Sequence, residues 1–307
     1  MQDLWLVIVN PVSGGKRAPK RWAKIQPVLE QAGIPFQVQI TEYRDHGAAL
    51  VREALQAGVR KCMIVGGDGT ANDVINGVYT SGIDPATVML AMVPAGTGND
   101  WVRTIGSPVS AQQIMNSLLR AHYRLHDVGV LQCKGDGKPV TRYFINIAGL
   151  GFEGAVAKRL YDQHGSWYLG KLQYQVAIMR SLFVYKHTRM ELQIDDSKVQ
   201  ETVLSIALGN GKFNGGGLMQ LPAADPGDGM LDITVITTMP KWKMVVSLPK
   251  LKTGVHTRMR EVKTYTGRMI SIHSNPPVCI DSDGEYVGVT PLQCTIAEKQ
   301  VKVLIWQ

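Results

Sequence analysis

The chain has 307 residues, 45% of them hydrophobic and 19% charged, which is length for two ordinary domains and too much apolar content for a disordered chain. No run approaches the ~18 consecutive apolar residues that a membrane-spanning helix needs, so such a helix is excluded. The net charge of +8, with an isoelectric point of about 9.3, favours a polyanionic partner such as nucleotide, anionic lipid or nucleic acid without choosing among them.

In chain order, the first 125 residues alternate strand and helix signals. Leu4 to Val9 is an apolar strand that stops at Asn10-Pro11, and the opening Met1-Gln2-Asp3 has no basic flank, a pattern too short for a signal peptide. Ile25, Val28, Leu29 and Ala32 follow at the spacing of one helix face. Phe36 to Ile40 alternates as a strand, Ala48 to Ala57 reads as a helix, and Cys62 to Val65 is a buried-type strand ending in Gly66-Gly67. A helix over Asp73 to Tyr79, a strand over Val88 to Val93 and a helix around Ile114, Leu118 and Ala121 complete the series. Repeated βα alternation predicts a doubly wound, mostly parallel sheet with helices on both faces.

From about Asp127 the texture changes. Val128 to Cys133, Tyr143 to Ala148, Met190 to Ile194, Val203 to Leu208, Leu231 to Ile236, Val262 to Tyr265, Met269 to His273 and Val301 to Trp306 read as short strands between Gly, Asn, Asp and Pro clusters. Helical signal is confined to Gly154 to Tyr161 and Leu169 to Phe183. The expected organisation is an N-terminal α/β domain over 1–125 and a C-terminal domain over 126–307 that is a β-sandwich or a curved antiparallel sheet, with a cleft between them and the last ~12 residues packing back on the first domain. Cys62, Cys133, Cys279 and Cys294 show no metal or redox spacing, so a reducing cytoplasm is the expected location.

The strongest local motif is Gly66-Gly67-Asp68-Gly69-Thr70, between an apolar strand and a helix, where backbone amides reach an anion without a Cβ in the way. Thr70 is expected to cap the next helix, with Asp73 at the third position. Asp68 would repel phosphate unless a cation stands between them, which implies Mg²⁺ with the nucleotide. Pro94-Ala95-Gly96-Thr97-Gly98-Asn99-Asp100 is a second loop after a strand, and Asn10-Pro11-Val12-Ser13-Gly14-Gly15-Lys16 a third. The third is no Walker A loop, because Asn10 stands where its first Gly belongs and Arg17 where Ser or Thr does. A G-x-G-x-x-G dinucleotide fingerprint is also missing at the strand-to-helix turns.

Together with Gly209 to Gly217, Asp225-Pro226-Gly227-Asp228-Gly229-Met230-Leu231-Asp232 and Asp283-Gly284-Glu285, these loops resemble the diacylglycerol kinase catalytic domain family. Six motifs fall in the family's order and span nearly the whole chain, with the nearest likeness to the soluble bacterial diacylglycerol kinases, which phosphorylate diacylglycerol to phosphatidic acid with ATP and Mg²⁺. The resemblance implies an N-terminal α/β nucleotide-binding domain with a C-terminal β-sandwich domain, and ATP contacts from Asn10, Thr41, Gly66, Gly67, Asp68, Gly69, Thr70, Ala71, Asn72 and Thr97. It implies a structural metal, Mg²⁺ or Ca²⁺, at Asp225, Asp228 and the Met230 carbonyl, and Glu285 or neighbouring Asp283 as proton acceptor. Alternation along a strand would put Asp283 and Glu285 on one side. A homodimer is compatible with the same resemblance.

Between Lys241 and Arg268 eight basic residues face Glu261 alone, and with Trp242 they suggest peripheral contact with an anionic membrane. The apolar stretch Trp167, Tyr168, Leu169, Leu172, Tyr174, Ile178, Met179, Leu182 and Phe183 suits either a lipid cleft or core. Rival readings are a kinase of another lipid alcohol such as a sphingoid base, a soluble metabolite kinase like NAD kinase, which shares the GGDG loop, and a non-enzymatic lipid or nucleic-acid binder. The basic-aromatic interleaving of single-strand binders is missing, which argues against nucleic acid.

Overall fold

The computed structural model describes residues 3–108, 110–162, 181 and 185–306. It divides into two compact units, one made of Met1–Val128 with Ala297–Gln307, the other of Gly129–Ile296. The stretch from Trp167 to Phe183 lies outside the described residues, apart from Ser181.

The first unit is built on a six-stranded sheet in the order β2-β1-β3-β4-β18-β5. Its strands are β1 (Trp5–Val9), β2 (Phe36–Ile40), β3 (Lys61–Gly66), β4 (Met89–Pro94), β5 (Tyr123–His126) and the late strand β18 (Val301–Leu304). Every residue of β1 and β4 is buried, as parallel strands covered on both faces require, whereas edge strand β2 is only partly buried. β1, β3 and β4 run parallel, and β18 continues the parallel order beside β4 before β5 closes the edge antiparallel.

Helices α1 (Ser13–Gln31), α2 (His46–Gln56), α3 (Asp68–Tyr79), α4 (Asp100–Ile105) and α5 (Ala111–Arg120) connect these strands. Trp22, Ile25 and Leu29 of α1 and Ile114 and Leu118 of α5 share one core with Val7, Met63 and Ala91 of the sheet. α5 starts cleanly because Ser110 accepts a hydrogen bond from the Gln113 N–H.

The second unit is β-rich: an extended antiparallel sheet runs β14-β13-β10-β8-β16-β17-β15-β9, with β6 and β7 joined through β17. These are β6 (Gly129–Lys134), β7 (Pro139–Phe144), β8 (Ile147–Gly151), β9 (Thr188–Ile194), β10 (Ser197–Gly209), β13 (Leu231–Thr237), β14 (Val262–Gly267), β15 (Met269–Ser274), β16 (Cys279–Ser282) and β17 (Glu285–Ile296); the short pair β11 (Phe213–Asn214) and β12 (Leu218–Met219) stands apart. Alternate residues such as Leu131, Leu192, Ile206, Ile233, Ile270 and Leu292 meet in one core. Helices α6 (Phe152–Asp162) and α7 (Lys241–Thr253) belong to this unit.

Three expectations change. The single strand expected over Tyr143 to Ala148 is two, broken at Ile145 and Asn146, because their N–H groups turn to the Asp283 carboxylate. The basic stretch from Lys241 contains a helix that periodicity did not reveal, since Trp242 and Val246 are exposed on it while Met244 and Ser247 are buried. Thr70 does not cap α3: the helix begins at Asp68 with Gly67 in the extended cap position, and Thr70 lies buried within the first turn.

Candidate active site

β1, β3 and β4 are neighbours and parallel, so the three glycine-bearing loops leave the sheet at the same carboxyl edge. They pack backbone against backbone. A Cβ on Gly67 would stand 2.9 Å from the Gly96 Cα, one on Gly96 only 2.5 Å from the Gly67 Cα, and one on Gly14 1.9 Å from the Ala95 carbonyl oxygen. The Gly66 carbonyl accepts from the N–H of both Ala95 and Gly96, at 2.6 and 3.0 Å. The first loop turns through Gly14, Gly15 and Lys16 at φ of 58, 69 and 67°, which delays the regular part of α1. Arg17 then ties it to the loop after β4, donating to the carbonyls of Gly14 (2.7 Å) and Gly96 (3.1 Å). This bridging role depends on a contact 79 residues along the chain, for which the sequence carries no signal.

Asp68 opens α3 and is partly buried, with its Oδ1 accepting from the Trp101 N–H at 3.2 Å. Burial pushes its carboxyl up from the ordinary range, while backbone N–H groups of Asp100, Trp101 and Asn99 pull it back. A Cβ on Gly98 would meet Asp68 Oδ2 at 3.0 Å and Asp100 Oδ2 at 3.2 Å, so two carboxylates converge on this glycine. Hard oxygen donors beside loops of backbone N–H groups fit a divalent cation accompanying phosphate. Asp100 also pairs with Arg103 at 3.5 Å.

The remaining N-terminal residues divide by position. Asn10 donates from Nδ2 to Thr70 Oγ1 at 3.0 Å and accepts from the Val12 N–H, which fixes the end of β1 against the start of α3. Gly66 makes room for that threonine, since its Cβ would stand 2.5 Å from Thr70 Oγ1. Gly69 is partly buried and Thr97 exposed on its loop, whereas Thr70, Ala71 and Asn72 are buried in α3, and Asn72 Oδ1 accepts from Asn76. Thr41 is buried at the end of β2, with its N–H donated to the Val9 carbonyl.

In the second unit, Ser282 pairs with Glu285, so Asp283 and Gly284 form a two-residue hairpin turn at φ of 49 and 86°. This corrects the expected alternation, because Asp283 is in the turn and Glu285 in the strand. Asp283 is 8% exposed and its carboxylate accepts from three backbone N–H groups: Ile145 (3.0 Å), Asn146 (3.1 Å) and Ile147 (3.1 Å). Glu285 instead meets a side chain, with Arg142 Nη2 3.2 Å from its Oε2. Arg142 stands on β7, far away in sequence, so sequence reasoning had no signal for it.

Asp225 and Asp228 each accept a backbone N–H from two residues on, Gly227 at 3.0 Å and Met230 at 2.9 Å. Burial first, and then the charges of Asp228 and Asp225, push the Asp232 carboxyl up to about 6. Among the described residues no group of three or more His, Cys, Asp or Glu side chains is arranged to hold a metal ion. A cation here would therefore need carbonyl oxygens such as that of Met230, a hard donor set that suits Mg²⁺ or Ca²⁺ and would relieve the crowding of like charge.

Residues 4–131 match the model of the diacylglycerol kinase catalytic domain, and residues 146–305 match that of the YegS C-terminal NAD kinase beta sandwich-like domain. The chain belongs to the diacylglycerol kinase and YegS-like family of lipid kinases. A relative within this family, the "Probable lipid kinase YegS-like" of Chromohalobacter salexigens, is 30% identical over 251 residues, covering 80% of this chain and 75% of that protein. The diacylglycerol kinase of Mycobacterium tuberculosis is 27% identical over 300 residues, 97% of this chain and 93% of that one. A diacylglycerol kinase structure from Bacillus anthracis superposes with a TM-score of 0.72 at 21% identity, over 99% of this lipid-kinase family chain and 97% of that chain. Yeast NADH kinase superposes with a TM-score of 0.52 at 11% identity, covering 100% and 84% of the two chains, a likeness of fold.

Proposed function

We propose that the protein is an ATP-dependent kinase that transfers the γ-phosphate of ATP to the hydroxyl of diacylglycerol, giving ADP and phosphatidic acid. The observation that carries this reading is the packing of Gly67 against Gly96, and of Gly14 against the Ala95 carbonyl, at one edge of the parallel sheet, where a triphosphate would meet main chain rather than side chains. Phosphoryl transfer asks mainly for positioning and neutralised charge. Backbone N–H groups of the three loops hold the phosphates, and Asp68 with Asp100 would hold Mg²⁺, which when bound offsets phosphate charge.

Glu285 suits the proton acceptor better than Asp283, whose oxygens are already engaged by three backbone N–H groups. Arg142 fixes the direction of Glu285, which takes the lipid hydroxyl proton as that oxygen attacks phosphorus. Asp225, Asp228 and the Met230 carbonyl hold a structural Mg²⁺ or Ca²⁺.

No helix among the described residues is long and apolar enough to cross a membrane. In this reading the protein works in the cytoplasm and meets its substrate peripherally. On α7 Trp242 and Val246 stand one turn apart, 68% and 60% exposed, with Lys241, Lys250 and Lys252 also exposed. An apolar pair ringed by lysines suits an anionic bilayer surface. A second reading, a different lipid alcohol as acceptor, is supported by the Chromohalobacter relative, whose name specifies a lipid kinase and no diacylglycerol. Radiolabelled ATP assayed over diacylglycerol, a sphingoid base, other lipid alcohols and NAD separates these. Label in phosphatidic acid above all other products supports the proposal; label only in phosphorylated NAD, or in no product, removes it.

A further inference from the structure

Behind the Asp283-Gly284 turn lie two carboxyl groups without a counter-ion among the described residues. Asp281, 2% exposed on β16, pairs with Gly149 of β8. The Cβ that Gly149 lacks would stand 2.3 Å from Asp281 Oδ1 and 2.5 Å from Glu153 Oε2, so both oxygens occupy the space over this glycine. They are therefore within the ~4–6 Å at which two charges act strongly on one another. Glu153 is held in place by three donors: its Oε1 accepts from Ser205 Oγ (2.8 Å) and Gln220 Nε2 (3.0 Å), and its Oε2 from Asn214 Nδ2 at 3.4 Å.

The partners of Asp281 are unequal. Its Oδ2 accepts from the Gly284 N–H at 3.3 Å, whereas its Oδ1 is buried with no hydrogen-bond partner among the described residues. Neither carboxyl is ion-paired among the described residues, and Asp283, whose charge also acts on Asp281, is of the same sign. Two enclosed carboxylates facing each other over a glycine, with one oxygen unsatisfied, are completed most simply by a proton between them.

We propose that Asp281 and Glu153 hold one proton between them, and that this makes Asp281 the positioning residue for the turn that carries Asp283 and leads into Glu285. With the proton in place, Asp281 Oδ1 and Glu153 Oε2 are joined by a hydrogen bond and Oδ2 remains aimed at the Gly284 N–H. When the proton leaves, the two anions repel, Asp281 swings off Gly149, and the Gly284 bond is lost. Burial first, and then the charge of a neighbouring carboxylate (Asp281 for Glu153, Asp283 for Asp281), pushes both carboxyls well up from the ordinary carboxylate range. The sign follows: the turn is held while the pair keeps its proton and is released as pH rises and that proton leaves.

The test is hydrogen exchange of the Cys279–Val289 hairpin at pH 6.5 and 9, corrected for intrinsic exchange, in the native chain, Asp281→Asn and Glu153→Gln. Either amide supplies the missing donor permanently. At pH 9 the native hairpin should exchange about tenfold faster than at pH 6.5, and each variant less than about twofold faster. The consequence for turnover rests on the kinase reading, whereas the exchange result does not. With diacylglycerol in mixed micelles, native kcat should fall about tenfold across the same window at constant KM, and the amide variants should keep it. A native hairpin whose exchange ignores pH, or amide variants that follow the native profile, would overturn the shared proton; an exchange change with no change in kcat would overturn the positioning role. Should one variant fail to fold, the other decides.

Discussion

Gly67 and Gly96 meet with no side chain between them: the Gly96 Cα lies 2.9 Å from the point where a Gly67 Cβ would stand. Two loops from neighbouring parallel strands thus share one backbone surface, and Gly96→Ala would drive a methyl to 2.5 Å from the Gly67 Cα. The predicted cost is about 1–3 kcal/mol in stability from overpacking. Calorimetric titration of ATP with Mg²⁺ should show a larger loss in the variant, at least about tenfold in affinity, as the loops part and the amides lose alignment.

The Asp283-Gly284-Glu285 hairpin predicts opposite phenotypes from adjacent acids. Asp283→Ala orphans three backbone N–H groups and should cost at least about 2 kcal/mol in denaturant unfolding. Glu285→Gln keeps the fold and should lower kcat by about 10²–10⁴. A folded, inactive Asp283→Ala beside a fully active Glu285→Gln would reverse the assignment.

Asp232 gives a pH prediction with a definite sign. Its carboxyl is raised to about 6, so the stability it allows is complete below the ordinary carboxylate range and is lost as pH rises through about 6. Thermal melts should therefore show Asp232→Asn more stable than the native chain at pH 8 and equal to it at pH 4. Millimolar Ca²⁺ or Mg²⁺ should raise the native melting temperature at pH 8, and Asp225→Ala with Asp228→Ala should abolish that rise.

Lys250 and Lys252 of α7 should set the anionic-lipid dependence of binding. Replacing both with Gln removes two near-surface cations, about 2 kcal/mol, or roughly thirtyfold in vesicle partitioning. Trp242→Ala should weaken binding to neutral and anionic vesicles alike. Sedimentation with both vesicle types reads the two effects separately.

Much of this was legible in the order of residues. Leu4 to Val9, Cys62 to Val65 and Val88 to Val93 announced strands because buried parallel strands are runs of apolar residues, and Phe36 to Ile40 announced one by its alternation. The glycine loops were visible because backbone approach has a compositional mark. What remained hidden was made by tertiary contact: Arg142 reaching Glu285, Arg17 reaching Gly96, and Asp283 drawing the N–H groups of Ile145 and Asn146 out of a strand. Helix α7 stayed hidden because its apolar residues fall on both exposed and buried faces. Strand β17 was missed because polar Thr290, Gln293 and Thr295 and the interrupting Pro291 dilute its alternation.

The most direct measurement is a crystal structure of the chain with a non-hydrolysable ATP analogue and Mg²⁺. The account predicts phosphate oxygens within hydrogen-bond reach of main-chain N–H groups between Gly66 and Gly69 and between Gly96 and Gly98, with the cation against Asp68. Nucleotide bound at any other part of the chain, with these loops bare, would contradict it.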